Sequence, residues 1–282
     1  MSQPRRVTRL VRGMPTSDGA GVRLTRVIGI PELRNLDPFL MLDHFGSEQA
    51  ADYIAGFPNH PHRGFETVTY MLEGRMRHRD NQGNEGLLTS GSVQWMTAGR
   101  GLIHSEMPEQ EEGRMSGFQL WINLPARDKM TAPRYQDIAP ERIPEFEPLA
   151  GAKVRVLAGE FASVKGPVDA AATSPLYLDI ALPAGASLSV PVPSGHTAFA
   201  YVFEGKAALA GQPVSTDVMA LLSEGDTVEV AAPESAARLI LVAGRPLREP
   251  IVQHGPFVMN HAHEIHQAIA DYQAGKFGPL QV

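Results

Sequence analysis

The chain contains no cysteine, which excludes disulfide bonds, thiolate metal ligands and cysteine nucleophiles together. Long apolar stretches are also missing, since no run approaches the roughly 20 residues that a bilayer span needs. The opening residues, MSQPRRVTRLVRG, hold no apolar segment before a small-residue cleavage site, so no secretory signal is evident. We therefore expect a soluble, cytoplasmic protein that makes no membrane contact.

A strong excess of charge of one sign is absent as well. The net charge of -6 gives no general attraction to phosphate backbones, so we expect no direct nucleic-acid partner. The hydrophobic fraction of 43% supports a packed core. A length of 282 residues is comfortable for two domains of ordinary size.

Glycine and proline, by contrast, are frequent and spread through the whole chain. They separate short runs rich in Val, Thr, Tyr, Phe and Leu, and this pattern predicts an all-β protein of sandwiches or barrels. A helix is predicted late in the chain, over residues 262–272, with Asn260 as N-cap and with Ile265 and Ile269 packed against a barrel. The clearest predicted strands are residues 65–72, 118–124, 153–157, 176–182, 197–203 and 238–242.

An internal repeat divides the chain into two halves. YMLEG at residues 70–74 recurs as YVFEG at residues 201–205, and LLTSGSV at residues 87–93 matches LLSEGDTV at residues 221–228. Two related barrels in tandem would produce such a repeat. We expect three consecutive segments: an N-terminal barrel, a proline-rich connector, and a C-terminal barrel with the helix, over residues 1–131, 132–148 and 149–282.

Two short segments carry candidate metal ligands. His60 and His62 are two residues apart, as are His104 and Glu106, and this spacing puts both side chains of a pair on one face of a strand. If the two strands face each other inside a β-barrel, three imidazoles and one carboxylate converge. Such a set suits a divalent first-row metal such as iron and leaves coordination positions open. Zinc is less suitable, because four protein ligands close a tetrahedral zinc site.

Glu66 is the alternative carboxylate ligand. It lies an even number of residues from His62, so spacing alone does not separate it from Glu106. The two-residue step from His104 favours Glu106, because the pleat of the strand fixes its face. The second half is expected to be metal-free, because the repeat aligns the four candidate ligands with Pro191, Pro193, Arg238 and Ile240.

The order of these residues resembles the cupin superfamily, in which two strand motifs supply histidines and a glutamate to a metal inside a small barrel. The similarity is closer still to the pirin family of bicupins and extends over nearly the whole chain. It implies two tandem jelly-roll barrels (double-stranded β-helices) with a short C-terminal helix. The similar segments are HPHRGFETVTYMLEG, QWMTAGRGLIHSEMP, HGPFVMN and NLDPFLMLDHFG, at residues 60–74, 94–108, 254–260 and 35–46.

The resemblance makes His60, His62, His104 and Glu106 the ligands of one divalent metal. Fe(II) is the metal we expect, with Mn, Co, Ni or Cu as alternatives. Glu66 then lies beside the ligands and not among them. Glu106, next to the open coordination positions, is the candidate catalytic group that takes a substrate proton.

The same resemblance implies quercetin 2,3-dioxygenase activity, which opens the heterocycle of a flavonol with loss of carbon monoxide. A divalent ion with three imidazoles and one carboxylate keeps a net charge of about +1, which suits an enolic or phenolic substrate together with dioxygen. Two alternatives stay open. One is an iron-dependent, redox-sensing module that binds a protein partner in transcriptional co-regulation, and the other is a different metal-dependent reaction.

Other residues of these segments have two interpretations each. Arg63 either contacts an anionic ligand or braces the carboxylate of Glu66. Phe39, His44 and Phe45 either wall the mouth of the cavity for an aromatic substrate or pack the N-terminal segment onto the first barrel.

Histidines outside the two motifs receive no metal-binding role. His78 and His196 have no partner at ligand spacing and are expected to be structural or exposed. In NHAHEIHQ, at residues 260–267, His263 and His266 would be neighbours on a helix while His261 points elsewhere. This segment is expected to form a capped surface helix.

Overall fold

A computed structural model of the protein describes residues 3–169 and 172–279. The described residues are mainly β-strands, with one α-helix, α1 (Ala262–Gln273), and short 3-10 helices at Ala50–Asp52, Ala126–Asp128 and Pro140–Arg142. None of the described helices combines the length and the apolar character needed to span a membrane. The first strands in chain order are β1 (Val7–Arg12), β2 (Met14–Asp18), β3 (Val22–Ile28), β4 (Phe39–Ser47), β5 (Phe57–His62), β6 (Phe65–Glu73), β7 (Met76–Asp80), β8 (Glu85–Leu88), β9 (Val93–Thr97), β10 (Leu102–Pro108), β11 (Met115–Asn123) and β12 (Arg134–Ile138). They are followed by β13 (Glu145–Phe146), β14 (Lys153–Ala158), β15 (Glu160–Phe161), β16 (Val164–Lys165), β17 (Leu176–Leu182), β18 (Ala186–Pro191), β19 (Thr197–Leu209), β20 (Gln212–Ser215), β21 (Val218–Leu222), β22 (Thr227–Ala232), β23 (Ala237–Gly244), β24 (Val252–His254) and β25 (Phe257–Met259).

The chain forms two compact units, and each is assembled from separate stretches of sequence. The histidine unit, which holds both histidine motifs, consists of Pro15–Gly29, Phe39–Pro140 and Leu247–Val282. The second unit consists of Met1–Met14, Ile30–Pro38 and Glu141–Pro246. The units cut across the contiguous division into residues 1–131, 132–148 and 149–282. The reason is that β1 pairs with β21, and α1 belongs to the histidine unit.

The second unit has an apolar interior. Its main sheet has the strand order β1-β21-β19-β23-β17-β14-β13. In addition, β20 and β22 pair with β19, and β18 pairs with β22. The four predicted strands of this half correspond to β14, β17, β19 and β23, which confirms the all-β prediction here. Its core consists of buried aliphatic side chains such as Val154, Leu178, Val202 and Leu239.

The histidine unit is built from two sheets. One is seven-stranded, in the order β12-β9-β6-β11-β4-β3-β2, and the other is four-stranded, in the order β5-β10-β7-β8. Phe45 and Met71 of the larger sheet belong to one apolar cluster with Met76 and Leu88 of the smaller sheet. The face of the seven-stranded sheet that carries Met71 therefore looks toward the four-stranded sheet, and we call it the inner face.

The segment after residue 247 completes the histidine unit. Strands β24 and β25 form a hairpin, and α1 buries Ile265 and Ala268 in one cluster with Ile103 of β10. Ile269 is partly buried against the same cluster. The prediction that the helix packs its isoleucine face on a barrel is thus confirmed.

The start of α1 differs from the prediction by one residue. The N-cap is His261 and not Asn260. The carboxylate of Glu264, one turn into the helix, accepts the backbone N–H of His261 at 2.8 Å. A glutamate at this position supplies the acceptor that a capping box needs, and a side-chain cap from Asn260 is therefore not required.

Arg63, in the first histidine motif, ties α1 to that motif. Its Nη1 donates to Asp271 Oδ2 at 2.9 Å, and its Nε donates to the Arg100 carbonyl at 2.6 Å. The guanidinium also lies over the Phe277 ring, 4.5 Å from the centroid. The side chains of Arg63 and Asp271 are only 6% and 12% exposed, so solvent screens this ion pair weakly.

Asp271→Asn is expected to lower the free energy of unfolding by about 3 kcal/mol, because Arg63 stays buried without its counter-charge. Hydrogen exchange of the backbone amides in Ala262–Gln273 measures the loosened docking. The matched control is Glu32→Gln, which breaks the exposed pair between Arg9 and Glu32 and should cost less than about 1 kcal/mol. Equal effects of the two variants would contradict the role of Arg63.

Candidate metal centre

The two histidine motifs lie on neighbouring strands. Strands β5 and β10 pair antiparallel, with His60 directly opposite His104 and with Leu102 opposite His62. The expectation that the two strands face each other across a barrel is therefore wrong. Directly paired residues have Cβ atoms about 5 Å apart, so adjacent strands bring imidazoles together more closely than opposite walls would.

The structure brings the three histidines into one group. Their ring centroids are 4.7 Å apart for His60 and His62, 4.4 Å for His60 and His104, and 4.9 Å for His62 and His104. One ring nitrogen of each lies within 4.8 Å of those of the other two. Within residues 3–169 and 172–279, no other set of three or more metal-ligating side chains lies so close together.

The protonation of these rings suits metal binding. Burial lowers the pKa of both His62 and His104 well below the ordinary value, and nearby imidazoles lower it further. Both rings are therefore neutral at neutral pH and keep a lone pair. Nδ1 of His60 lies 2.8 Å from the Pro58 carbonyl, which needs a proton on Nδ1 and leaves Nε2 free as a ligand.

A buried acceptor in this group has nothing to accept from within the described parts of the chain. Nε2 of His104 is buried and has no hydrogen-bond partner there. An unsatisfied buried polar atom is costly, and a cation shared with His60 and His62 would satisfy it. The donor set of three imidazole nitrogens fits a divalent first-row metal.

Glu106 reaches toward the opposite sheet. Its Oε1 accepts from the Thr69 hydroxyl at 2.9 Å, and its Oε2 accepts from Gln119 Nε2 at 3.1 Å. A bulge between His104 and Glu106 shifts the pairing of β10 with β5. The carboxylate is not a member of the group of three histidines whose ring nitrogens lie within 4.8 Å of one another.

Glu66 lies on the other face of β6. Residues three apart on a strand point in opposite directions, and Thr69 faces Glu106. The Glu66 carboxylate instead accepts from the Thr97 hydroxyl at 2.7 Å, and burial raises the pKa of Glu66. The structure therefore does not bring Glu66 to the histidines.

His78 is a fourth histidine at this site. It is 1% exposed and pairs with Glu106 in the register of β7 and β10. Its Nδ1 lies 3.4 Å from Nδ1 of His104, where it supports the His104 ring with Nε2 available. Of the two expectations for His78, structural or exposed, the structure agrees with the first, and the pairing of β7 with β10 supplies the partner that sequence spacing did not show. Alternation along β7 could have revealed the burial of His78, because Met76, His78 and Asp80 are buried and alternate with the half-buried Arg77 and the exposed Arg79.

Aromatic side chains border the group from the seven-stranded sheet. The rings of Phe65 and Trp121 both lie 5.1 Å from that of His62. Neither was singled out in the sequence, although HPHRGF places Phe65 three residues from His62. Trp121 is only partly buried, so it forms an accessible side of the site.

The contacts of Phe39, His44 and Phe45 agree with the second interpretation of these residues, packing onto the first barrel. His44 stacks on Phe118 at 4.7 Å, and both Phe39 and His44 pair in register with residues of the outer face. Phe45 lies on the inner face but in the apolar cluster with Met71. Arg63 is bonded to Asp271, as described above, and not to Glu66.

The first histidine motif is supported at Gly64, where the backbone of Val258 lies close to it. Gly64 has φ +91°, and a Cβ there would lie 2.0 Å from the Val258 carbonyl oxygen, so a side chain cannot be accommodated. Nζ of Lys129 donates to the carbonyls of Gly64 and Val258 at 2.8 and 3.0 Å, and to Asn123 Oδ1 at 2.7 Å. Burial lowers the pKa of Lys129 to about 8.

A two-sheet β-barrel in which three histidines converge from paired strands is the arrangement of a cupin, and the three ring nitrogens could hold a metal ion. Residues 21–122 match the family model described as Pirin, and residues 177–278 match the Pirin C-terminal cupin domain. The chain belongs to the pirin family of bicupins.

Similar proteins cover the full length of the chain. A Pseudomonas aeruginosa protein named "Putative quercetin 2,3-dioxygenase" is 54% identical over 282 residues, which is 98% of this chain and 99% of that protein. Human pirin is 45% identical and covers 99% of this chain and 96% of its own length. The crystal structure of quercetin 2,3-dioxygenase from Acinetobacter baumannii superposes with a TM-score of 0.90 at 34% identity, over 98% of this chain and 99% of that one.

The metal-free protein is expected to lose stability as the pH falls below about 6.5. Unfolded histidines bind protons there, whereas His62 and His104 stay neutral in the folded state down to their lowered pKa. Each proton bound only by the unfolded state lowers the free energy of unfolding by about 1.4 kcal/mol per pH unit. Urea unfolding between pH 7 and 5 measures this slope. His104→Gln should flatten it by about one proton, and an unchanged slope would contradict the buried neutral ring.

Proposed function

We propose that this protein is a metal-dependent dioxygenase that opens flavonols, of the quercetin 2,3-dioxygenase type. The observation that carries the proposal is the group of His60, His62 and His104, which are buried or half-buried and have ring nitrogens within 4.8 Å of one another. The names of the Pseudomonas and Acinetobacter proteins support this reaction type for a chain so similar over its full length.

The proposed ligands are His60, His62, His104 and Glu106. The proposed metal is Fe(II), and Mn, Co, Ni or Cu would suit the same nitrogen and oxygen donors. When bound, the metal supplies a Lewis acid for an enolic oxygen and electron-transfer chemistry for dioxygen. Four protein ligands leave positions for both on a six-coordinate ion.

The protein side chains position the substrate and move its proton. His60 is half-buried whereas His62 and His104 are buried, so a substrate approaches from the side of His60. Trp121, which is partly buried, offers apolar ring surface beside His62 for a planar aromatic molecule. The fully buried Phe65 packs against the Trp121 ring, 4.3 Å between centroids. Glu106 is the proposed proton acceptor for the flavonol hydroxyl, since its carboxylate is buried and oriented by two donors.

His60→Ala and His104→Ala are expected to strip the metal and abolish activity. Loss of an imidazole ligand should weaken metal binding by more than the roughly 10–100-fold typical of residues that only support a ligand. Metal analysis of the purified protein measures this. His266→Ala, on the exposed face of α1, is the matched control and should retain full metal content.

Turnover is tested with Fe(II)-loaded protein and quercetin. The expected result is dioxygen uptake with loss of flavonol absorbance and release of carbon monoxide. Stoichiometric metal in His104→Ala would overturn the ligand assignment. Untouched quercetin, together with binding of a partner protein that changes with the oxidation state of iron, would favour the redox-sensing alternative.

A further inference from the structure

Two side chains of the seven-stranded sheet form hydrogen bonds with the Glu106 carboxylate. Thr69 of β6 and Gln119 of β11 are directly opposite each other in register. The single proton of the Thr69 hydroxyl is shared between two acceptors, Glu106 Oε1 at 2.9 Å and Gln119 Oε1 at 2.6 Å. Gln119 Nε2 donates to Glu106 Oε2 at 3.1 Å. We call Thr69 and Gln119 the carboxylate clamp.

The clamp fixes the orientation of the carboxylate without using up its acceptor capacity. Each oxygen of Glu106 has one clamp contact, whereas a carboxylate offers about four lone-pair positions. Thr69 and Glu106 are each 2% exposed, so bulk water does not compete for these contacts. Lone pairs therefore stay available on oxygens that cannot rotate freely.

The clamp is part of a polar row across the inner face. In successive registers Thr69 lies opposite Gln94, and Gln119 lies opposite Asp43. Gln94 Nε2 donates to Asp137 at 2.8 Å, and Asp43 is held by Arg26 Nε and Nη2 at 2.8 and 2.7 Å. A row of polar side chains inside a barrel is costly unless its members are satisfied.

We propose that Thr69 and Gln119 are positioning residues that hold the Glu106 carboxylate ready for the metal. The inference rests on the proposed metal centre but not on flavonol chemistry. A free glutamate side chain loses rotamer freedom when it binds an ion. Because the clamp already restricts the Glu106 rotamers in the folded protein, the entropy cost of ordering this side chain is not part of the free energy of metal binding. Partners of this kind typically contribute about 10–100-fold to metal affinity.

The test is the affinity of the metal-free protein for Co²⁺ alone, followed by the visible absorption of the bound ion. Thr69→Val removes the hydroxyl at nearly constant shape, and Gln119→Met removes the amide at similar length. Each should weaken Co²⁺ binding by about 10–100-fold and change the Co²⁺ spectrum. Thr69→Ser, which keeps the hydroxyl, should restore both. If Gln119→Met does not fold, the comparison of Thr69→Val with Thr69→Ser decides.

Glu106→Gln provides the background that separates positioning from a general structural role. Because the clamp acts through Glu106, Thr69→Val should cause little further loss of Co²⁺ affinity in that background. If Thr69→Val lowered the Co²⁺ affinity equally in both backgrounds, or did not lower it in the parent protein, the inference would be overturned. Failure of the parent to bind Co²⁺ would overturn the metal centre and the clamp together. Inactivity toward quercetin with the coupling intact would overturn only the proposed reaction.

Discussion

The register of β5 against β10 is the constraint on which the group of three histidines depends. His60 and His104 meet because they are direct partners in an antiparallel ladder, and a slip of one residue would turn every side chain of one strand to the other face. The end of β5 is anchored where Gly64 admits the Val258 carbonyl and Lys129 bonds to both. Residues far from the ligands in sequence thus determine whether the imidazoles converge.

Much of the site follows from local rules that a sequence makes visible. The two-residue steps from His60 to His62 and from His104 to Glu106 depend only on the pleat of a strand. The choice between neighbouring and opposing strands depends instead on long-range pairing, which no local pattern encodes. The even number of residues between His62 and Glu66 is also misleading, because the turn at Gly64 ends β5 before β6 begins. Counting from His62 across that turn therefore carries no information about the face of Glu66.

The two halves of the repeat have diverged in their interiors while keeping their framework. Tyr70 and Tyr201, the first residues of the repeated pentapeptides, are both fully buried on strands that lie between two partners in their sheets. The second unit fills its interior with aliphatic side chains. The histidine unit carries instead a row of hydrogen-bonded polar groups beside three imidazoles. Buried polar groups are retained only where each finds a partner. In the histidine unit, the polar row holds the Glu106 carboxylate beside the histidines.

The histidine unit takes its last strands and its helix from residues beyond 247, while the intervening residues 141–246 belong to the second unit. During synthesis on the ribosome, the two histidine motifs emerge early, but Asp271 and Val258, which hold the first motif in place, emerge only after the other unit has been made. A nascent chain therefore exposes its histidines before the scaffold that aligns them exists. Alignment of the three histidines is consequently a late event, and a prematurely terminated chain would keep all three yet lack the contacts that set their geometry.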